Sequence, residues 1–397
     1  MHLSNRQVFL NHIAQTSKAP LLLEIASAKG SLLFTPEGKS LIDLIGGISV
    51  CNIGHSHPKV VEAVQTQAAR HMHLMVYGEL VQAPQVNYAK GLCRFLPKEL
   101  GSIYFTNSGA EATEGALKLA KRFTGKSKIV YCKNAYHGST HGALSIMGDE
   151  YFKRNYRPLL PNVFAIKYGD TNELKTIDNQ TAAVIIETIQ AESGVTVPTA
   201  AYMQQLRAQC NSTGALLIVD EVQAGMGRTG KMFAFEHFGI QPDILLLAKA
   251  FGGGMPLGAF IAAQKVMEVI AENPVLGHIT TFGGHPVSCA AGAAALQVLE
   301  AENIIADVEA KGALFEKLLQ HKNIKAIRRK GLLMAVQFSS FEQNKTIIDR
   351  AIERGVFTDW FLFAPECLRI APPLNIPNEL IEQACEILLA CIDEAAV

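Results

Sequence analysis

The chain has 397 residues, of which 49% are hydrophobic and 18% are charged, and its 36 basic side chains balance 36 acidic ones. This composition is typical of a globular protein that is long enough for two or three domains. The zero net charge and the lack of a basic cluster exclude an electrostatic basis for binding nucleic acid or an anionic membrane surface, so we expect neither partner.

The eight cysteines are scattered along the chain, and no two of them form a Cys-x-x-Cys pair. This pattern is typical of reduced thiols, which pack as small hydrophobic groups in cytoplasmic proteins. No apolar run approaches the roughly 20 residues needed to span a bilayer, and the first residues lack the apolar segment of a signal peptide. We therefore predict a cytoplasmic location.

Short apolar runs, mostly separated by segments of helical length, predict a largely parallel seven-stranded sheet flanked by helices, which is an α/β architecture. The predicted strands cover residues 102–106, 128–132, 163–167, 182–187, 215–220, 243–248 and 258–262. After Pro286 the pattern becomes helical, and a smaller α+β domain is expected from the two ends of the chain. The predicted boundaries are 1–45 and 287–397 for the small domain and 46–286 for the large one.

The first polar strand end of the predicted sheet leads directly into a helix. Ser108, Gly109 and Ala110 follow the strand 102–106, and apolar residues then recur at helical spacing. Amides at such a helix start bind phosphate, and small residues allow its close approach. Ser108 followed three residues later by Glu111 is equally a capping-box pattern, and the two interpretations are compatible.

Four more strand ends carry groups that are suited to chemistry. Tyr136 precedes Gly138 and offers a ring that could lie flat on a cofactor, Glu187 and Asp220 end their strands, and Lys249 opens a glycine loop. Ligands of open α/β sheets gather at the carboxyl ends of the strands. We therefore expect these side chains to share one site.

A lysine and an aspartate in such positions suggest pyridoxal phosphate. The Lys249 amine would hold the cofactor aldehyde covalently and, once a substrate amine displaces it, would act as a general base beside the substrate α-carbon. Asp220 would keep the pyridine nitrogen protonated, which makes the ring an electron sink. Either residue alone is better explained by an ordinary buried ion pair or a solvated strand end, but their convergence with Ser108, Tyr136 and Glu187 favours a cofactor site.

Several motifs resemble those of the class III aminotransferases of the ornithine/acetylornithine-like type, and the resemblance covers nearly the whole chain. The matching segments are 46–48, 54–58, 106–112, 217–223, 227–230, 248–249 and 369–373. The resemblance implies the pyridoxal-phosphate transferase fold of type I. It also implies an enzyme that moves an amino group between an ω-amino acid or amine and a 2-oxo acid, with 2-oxoglutarate and glutamate as one pair. An amine–pyruvate transaminase and a glutamate-semialdehyde-type aminomutase are alternatives within the same family.

The resemblance also implies individual roles around the cofactor. The Gly109 and Ala110 amides would hold the phosphate, Val222 would pack behind the ring and Gln223 would reach the ring hydroxyl. Thr281 matches a threonine that family members lend to the phosphate of the neighbouring subunit, which implies a homodimer with shared sites. The predicted cofactor-binding set is Ser108, Gly109, Ala110, Tyr136, Glu187, Asp220, Val222, Gln223, Lys249 and Thr281, with Lys249 and Asp220 as the catalytic residues.

Three residues are predicted to contact substrate. Arg369 matches the arginine that pairs with an α-carboxylate, for which a guanidinium fork is suited, although a structural salt bridge is the alternative. Glu192 matches a glutamate that covers this arginine while an ω-end reacts and moves aside for 2-oxoglutarate. Ser139 stands where enzymes for acetylornithine, ornithine and 4-aminobutyrate carry arginine, and it cannot pair with a distal carboxylate by charge. The donor is therefore open between a diamine, an amine and a different ω-amino acid.

Other patterns suggest other functions. Residues 225–230 fit the dinucleotide fingerprint G-x-G-x-x-G, but they do not directly follow the strand end at Asp220, so a nicotinamide-dependent oxidoreductase is the weaker hypothesis. His55 and His57 lack the neighbouring ligands of a zinc site, and we predict no metal. A non-catalytic dimeric binding protein is a third alternative, against which the intact Asp220 and Lys249 argue.

Overall fold

The structure, a computed structural model, describes residues 3–395. Its strands are β1 (Ser27–Lys29), β2 (Leu32–Phe34), β3 (Ser40–Asp43), β4 (Ser102–Thr106), β5 (Lys128–Cys132), β6 (Val163–Ile166), β7 (Thr181–Glu187), β8 (Leu216–Asp220), β9 (Ile244–Leu247), β10 (Gly258–Ala262), β11 (Ala326–Lys330), β12 (Leu333–Gln337), β13 (Val356–Phe357), β14 (Trp360–Phe361) and β15 (Ala364–Ile370). Its α-helices are α1 (Asn5–His12), α2 (Gly46–Ser49), α3 (Pro58–Arg70), α4 (Ala83–Leu92), α5 (Gly109–Thr124), α6 (His141–Ser145), α7 (Glu150–Lys153), α8 (Ala200–Thr213), α9 (Gln264–Met267), α10 (Pro286–Ala301), α11 (Val308–Leu318), α12 (Phe341–Glu353) and α13 (Asn378–Glu394).

The central sheet has seven strands in the order β4-β10-β9-β8-β7-β5-β6. The neighbours from β9 to β6 pair in parallel, whereas β10 is antiparallel to both β4 and β9. The predicted, mostly parallel seven-stranded sheet is therefore confirmed. Strand bounds agree because buried strands are written as continuous apolar runs, which are recognisable without an alternating pattern.

Apolar cores cover both faces of this sheet. In β8, Leu217 and Val219 belong to one core cluster, and Leu216 and Ile218 belong to the other. Successive side chains of a strand point to opposite faces, so a strand buried on both sides must be apolar throughout. Polar groups are consequently confined to the strand ends, where Asp220 lies.

Two smaller sheets, β1-β2-β3-β13 and β11-β12-β15-β14, flank the central one. The pair of β3 and β13 is parallel and aligns Val356 with Ile42 and Phe357 with Asp43. Segments from the beginning and the end of the chain thus share a sheet. The boundaries at residues 45 and 286 stay a prediction.

A left-handed turn connects β3 to the loop before α3. The four residues Gly46, Gly47, Ile48 and Ser49 all have positive φ, between 54 and 65°. Left-handed backbone costs a residue other than glycine about 1–2 kcal/mol. Asp43 holds the start of the turn, since its Oδ1 accepts from the Ile45 and Gly46 amides at 2.8 and 2.9 Å.

None of the helices between residues 3 and 395 is both long enough and apolar enough to cross a bilayer.

Candidate active site

A cavity of about 690 Å³ opens at the carboxyl ends of the central strands. It brings together most of the side chains that the sequence placed at strand ends. The predicted residues in its wall are Ser108, Gly109, Ala110, Tyr136, Ser139, Glu187, Asp220, Val222, Gln223 and Lys249. Of the other three, Glu192 and Arg369 lie behind Gln223, and Thr281 is exposed outside the cavity.

The start of α5 forms one wall of the cavity. Ser108 is the N-cap, and its Oγ accepts from the Glu111 amide at 3.2 Å. The Glu111 carboxylate accepts from the Asn107 amide at 2.9 Å rather than from the amide of Ser108, so the N-cap forms without the reciprocal bond of a capping box. Gly109 and Ala110 therefore present the positive end of the helix dipole to the cavity, a suitable place for a phosphate.

Asp220 is buried and forms a hydrogen bond with a histidine. Its Oδ2 lies 2.7 Å from His137 Nδ1, and its Oδ1 accepts from the Val222 amide at 2.9 Å. The imidazole side chain is fully buried, and Thr113 Oγ1 donates to the His137 carbonyl at 3.0 Å. The sequence reasoning missed His137, although its place between Tyr136 and the turn glycine at a strand end was an available signal.

Lys249 follows β9 with a left-handed backbone, at φ 52°. Such a conformation in a residue other than glycine is a form of strain that occurs preferentially at functional sites. Burial lowers the pKa of the Lys249 amine, and the nearby Glu192 carboxylate offsets part of this shift. The amine thus loses its proton more easily than an ordinary lysine, as a base or nucleophile requires.

Glu187 is a second buried carboxylate of the cavity wall. Its Oε1 accepts from the Tyr136 amide at 2.9 Å and its Oε2 from the Ala191 amide at 3.2 Å. Burial, together with the neighbouring Asp220, raises the pKa of Glu187 well above its ordinary range. In this arrangement the side chain fixes the backbone that carries the Tyr136 ring.

Glu192 and Arg369 form a closed, two-pronged ion pair. Arg369 Nη1 donates to Glu192 Oε1 at 2.8 Å, and Nη2 donates to Oε2 at 3.0 Å. Burial raises the pKa of Glu192, but the guanidinium charge outweighs this effect and leaves the pKa below its ordinary value. The pair is therefore ionised at neutral pH although both side chains are buried.

The remaining N–H groups of Arg369 also have acceptors. Nε donates to Asp359 Oδ1 at 2.8 Å, Nη1 also to Gln223 Oε1 at 3.3 Å, and Nη2 also to the Trp360 carbonyl at 3.1 Å. The guanidinium carbon lies 4.3 Å from the centre of the Phe361 ring. Asp359 and Trp360 had no signal in the sequence, and the antiparallel pairing of β14 with β15 brings them to the arginine.

We call Glu192, Gln223, Asp359 and Arg369 the gate. Gln223 belongs both to the gate and to the cavity wall, since its Nε2 donates to Glu192 Oε1 at 3.2 Å. The Leu362 amide holds the other Glu192 oxygen at 2.9 Å. Both polar ends of Gln223 thus bind other gate residues. Its contact with the ring hydroxyl, which the family resemblance implies, stays a prediction.

Ser139 lies near Tyr136 at the polar side of the cavity. Its hydroxyl is 3.2 Å from the Tyr136 hydroxyl. The next residue, Thr140, donates to Glu114 Oε1 at 2.6 Å, and the same oxygen accepts from the Gly142 amide. Ser139 thus offers an uncharged hydrogen-bonding group to a ligand on this side of the cavity.

The residues present fit pyridoxal phosphate. The cavity combines a lysine amine with lowered pKa, a buried carboxylate, an aromatic ring and a helix start. A Cβ atom added to Gly109 would lie 3.1 Å from Val222 Cγ1, so the backbone at the helix start is tightly placed against the residue predicted to pack behind the ring.

The two patterns that suggested a dinucleotide site and a zinc site are parts of the structural framework. Residues 225–230 lie in consecutive turns where no helix begins, so the pyrophosphate site of a dinucleotide fold is not formed. Their Arg228 is fully buried and donates to the carbonyls of Leu332 and Pro372 at 3.0 and 2.6 Å. His55 Nε2 lies 2.7 Å from Asp43 Oδ2.

Comparison with known proteins identifies the family. The family described as Aminotransferase class-III matches residues 13–392. The acetylornithine aminotransferase of Methanopyrus kandleri is 40% identical over 378 residues, which cover 94% of either chain.

Solved structures agree with this match. The ornithine aminotransferase of Toxoplasma gondii, whose active site holds pyridoxal phosphate at partial occupancy, superposes with a TM-score of 0.90 at 30% identity and covers 98% of this chain and 93% of that chain. A thermostable (S)-enantioselective omega-transaminase from Thermomicrobium roseum gives a TM-score of 0.91 at 28% identity and covers 98% of both chains. The fold is that of the pyridoxal-phosphate transaminases, and the chain belongs to the class-III aminotransferases, enzymes that depend on this cofactor.

Proposed function

We propose that this transaminase moves an amino group between an ω-amino acid or amine, of the ornithine/acetylornithine-like type, and a 2-oxo acid, with glutamate and 2-oxoglutarate as one pair. The observation that carries the proposal is the closed Glu192–Arg369 pair beside the cavity of Lys249 and Asp220. The similarity to an acetylornithine and an ornithine aminotransferase supports the substrate class.

Lys249 and Asp220 are the proposed catalytic residues. Bound pyridoxal phosphate supplies the covalent attachment point for the amine and an electron sink for the substrate carbon. Lys249 Nζ takes the proton from the substrate carbon that bears the amino group and later returns it, which its lowered pKa favours. Asp220, held by His137 and the Val222 amide, keeps its negative charge toward the ring nitrogen.

The helix start and the aromatic wall are the proposed binding residues for the cofactor. The Gly109 and Ala110 amides hold its phosphate, with Ser108 fixing their geometry as N-cap. Tyr136 stacks on the ring and is positioned through Glu187, and Val222 packs on the opposite face. These assignments combine the geometry of the cavity with the roles that the family resemblance implies.

The gate lets one cavity accept two kinds of substrate. While Glu192 occupies Arg369, the arginine charge is neutralised, and a donor enters with its reacting amine toward Lys249. For a 2-oxo acid, Glu192 releases the guanidinium and the substrate α-carboxylate takes its place with the same two-pronged geometry. When the amine donor is bound instead, its far end lies near Ser139, an uncharged side chain that binds polar groups by hydrogen bonds.

We also propose a homodimer in which Thr281 completes the phosphate site of the partner. Thr281 is exposed in the isolated chain, and several large apolar side chains near it are exposed as well. These apolar side chains are Val275, Leu276, Ile279 and Phe282. Exposed apolar groups in such number favour a protein interface. The eight free cysteines support our proposal of a reducing, cytoplasmic setting.

The proposal is tested by half-reactions of the purified holoenzyme. Glutamate, ornithine, N-acetylornithine, 4-aminobutyrate, putrescine and lysine are added separately, without a 2-oxo acid, and the absorbance band of the lysine-bound cofactor is followed. We expect glutamate and at least one ω-amine to bleach the band and 2-oxoglutarate to restore it. Bleaching restored by pyruvate but not by 2-oxoglutarate would favour the amine–pyruvate alternative, and a band that no amine changes would contradict a transaminase.

A variant separates catalysis from folding. Lys249→Ala should abolish turnover while the melting temperature and the dimer are kept, because the amine makes no contribution to the sheet core. Substantial residual transamination by this variant would refute the assignment of Lys249.

A further inference from the structure

The guanidinium of Arg369 has two edges that can each bind a carboxylate with a pair of hydrogen bonds. Its end edge, formed by Nη1 and Nη2, holds Glu192. Its side edge, formed by Nε and the second hydrogen of Nη2, is bound by the Asp359 carboxylate at 2.8 Å and the Trp360 carbonyl at 3.1 Å. The remaining N–H group of Nη1 has Gln223 Oε1 as its acceptor at 3.3 Å. Every N–H group of this guanidinium therefore has an acceptor.

The side edge is bound by a segment that is tied to the backbone of Arg369 itself. Trp360 belongs to β14, which pairs antiparallel with β15, the strand that carries Arg369. Asp359 directly precedes β14, and its carbonyl accepts from the Arg369 amide at 2.9 Å. When Glu192 leaves in the proposed function, the side edge therefore stays bound, and only the end edge becomes free.

Further contacts from the same segment order the arginine before a substrate arrives. The centre of the Phe361 ring lies 4.3 Å from the guanidinium carbon. Thr358 Oγ1 donates to the Arg369 carbonyl at 2.6 Å. A long side chain that is ordered only on binding lowers affinity, because its loss of rotamer freedom opposes the new contact. An arginine that is already ordered avoids this cost.

The Asp359 side chain lies behind the arginine. Within residues 3–395, the wall of the active-site cavity does not include it, and its side chain is 25% exposed. The backbone hydrogen bond to Arg369 and the pairing of β14 with β15 hold the segment in place without this carboxylate. The effect of the Asp359 carboxylate on a substrate must therefore pass through the guanidinium.

We propose that Asp359 is a positioning residue for the 2-oxo acid half-reaction, because it closes the side edge of Arg369 and directs the end edge toward the substrate. This inference rests on the proposed gate and deepens it. With the side edge closed, the substrate α-carboxylate has one two-pronged site, which is the position that Glu192 vacates. The direction from which the oxo carbon approaches Lys249 is thereby fixed.

The test measures the two half-reactions of the holoenzyme separately. The enzyme form that carries the transferred amino group is mixed with 2-oxoglutarate, and the concentration dependence of the rate gives a dissociation constant and a maximal rate. Asp359→Ala should raise this dissociation constant about tenfold, because the arginine must then be ordered during binding. The maximal rate and the amine half-reaction should stay within about twofold of the wild type, as expected when only binding is lost.

Asp359→Asn is the conservative variant that separates position from charge. Its amide oxygen can accept from Arg369 Nε as the carboxylate does, so the dissociation constant for 2-oxoglutarate should return close to the wild-type value. If Asp359→Ala does not fold, Asp359→Ser replaces it. The serine side chain is too short to reach Nε, and the same rise is expected.

Asp243→Ala is the matched control, since it removes a carboxylate that also binds an arginine. Asp243 Oδ2 accepts from Arg207 Nη1 and from the Leu217 amide, both at 2.7 Å. Asp243 precedes β9, whereas Lys249 follows this strand, so the two residues lie at opposite ends of the sheet. The control should lower the melting temperature and leave both half-reactions unchanged.

The outcomes separate this inference from the proposed function. An unchanged dissociation constant in Asp359→Ala, equal losses in both half-reactions, or a failure of Asp359→Asn to restore binding would overturn the role of Asp359 and leave the gate intact. A wild-type enzyme whose aminated form does not react with 2-oxoglutarate would overturn the gate and this inference together.

Discussion

Two buried carboxylates, five residues apart in the sequence, behave in opposite ways. Glu187 ends a central strand and binds backbone amides, and burial raises its pKa well above the usual range. Glu192 binds the guanidinium of Arg369, whose charge outweighs the effect of burial, so that the pKa of Glu192 is lowered. Glu187 is held by two backbone amides, whereas Glu192 is held by the Leu362 amide and by a guanidinium, a group that can exchange one carboxylate for another. In the proposed function, the strand-end region therefore stays fixed and the gate switches.

The difference also concerns how each region is assembled. The strand-end residues are positioned by the sheet to which they belong. The gate joins Glu192 to Arg369, 177 residues later in the chain, across the boundary between the central and a smaller sheet. A change at the strand end should therefore impair both half-reactions, whereas a change in the gate should alter the choice between substrates.

The largest effect is expected from removing the fixed charge at the strand end. Asp220→Ala should still attach the cofactor to Lys249 but lower the rate of both half-reactions by about 10³-fold, because the stabilising charge toward the ring nitrogen is lost. Stopped-flow absorbance with glutamate and with the best amine measures this. Rates within a few-fold of the wild type would contradict the assignment of Asp220.

A smaller and one-sided effect is expected from Arg369→Lys. The ammonium cannot bind a carboxylate with two parallel hydrogen bonds, so kcat/KM for 2-oxoglutarate should fall about 100-fold while the amine half-reaction changes little. Arg228→Lys is the matched control, since Arg228 is equally buried but contacts backbone carbonyls and Asn52. It should lower the melting temperature and leave the substrate ratio unchanged. If Arg369→Lys lowered kcat/KM equally in both half-reactions, the gate would not differ from the strand-end region in its effect on substrate choice.

A change of about tenfold is expected when Glu192, the gate residue proposed to move, loses its charge. Glu192→Gln leaves Arg369 incompletely neutralised, so kcat/KM for 2-oxoglutarate relative to that for the amine should rise about tenfold. Glu187→Gln removes a carboxylate of similar burial from the fixed region and should leave this ratio unchanged. If Glu192→Gln kept the wild-type ratio of the two kcat/KM values, Glu192 would be only a structural partner of Arg369.

The smallest effects are expected in the pH dependence of unfolding. The lowered pKa of Glu192 gives stability that is present above the unfolded pKa of about 4.3 and is lost as the pH falls through the folded value. The raised pKa of Glu187 has the opposite sign, with stability present below the unfolded pKa and lost as the pH rises through the folded value. Melting curves should show that Glu192→Gln flattens the pH dependence below the unfolded pKa of about 4.3, and that Glu187→Gln flattens it above that value. Identical changes in both variants would contradict the opposite shifts.

The sequence was most informative about features that a short stretch of the chain determines by itself, such as a buried strand and the polar residue that ends it. Continuous apolar runs predicted the seven strands, and Asp220 and Lys249 were recognisable as polar residues that end such runs. The gate was recognised only through family resemblance, because no local pattern connects Glu192 with Arg369. Asp359, which binds Arg369 Nε, was missed because its contact depends on how β14 and β15 pair with each other.

His137 was missed for a different reason. It was treated as part of the aromatic turn, and nothing in the sequence states which neighbouring strand end a loop side chain will meet. The structure places it against Asp220 at 2.7 Å. Pairings between strand ends depend on the order of the strands in the sheet, and that order is not a local property of the sequence.

The most direct measurement is the chemical location of the cofactor. The holoenzyme is treated with borohydride, which makes the lysine–cofactor linkage permanent, and is then digested and analysed by mass spectrometry. We expect the phosphopyridoxyl mass on the peptide that contains Lys249, and its disappearance when glutamate is added before the reductant. A label on another lysine, or no label with excess cofactor present, would contradict the site described here.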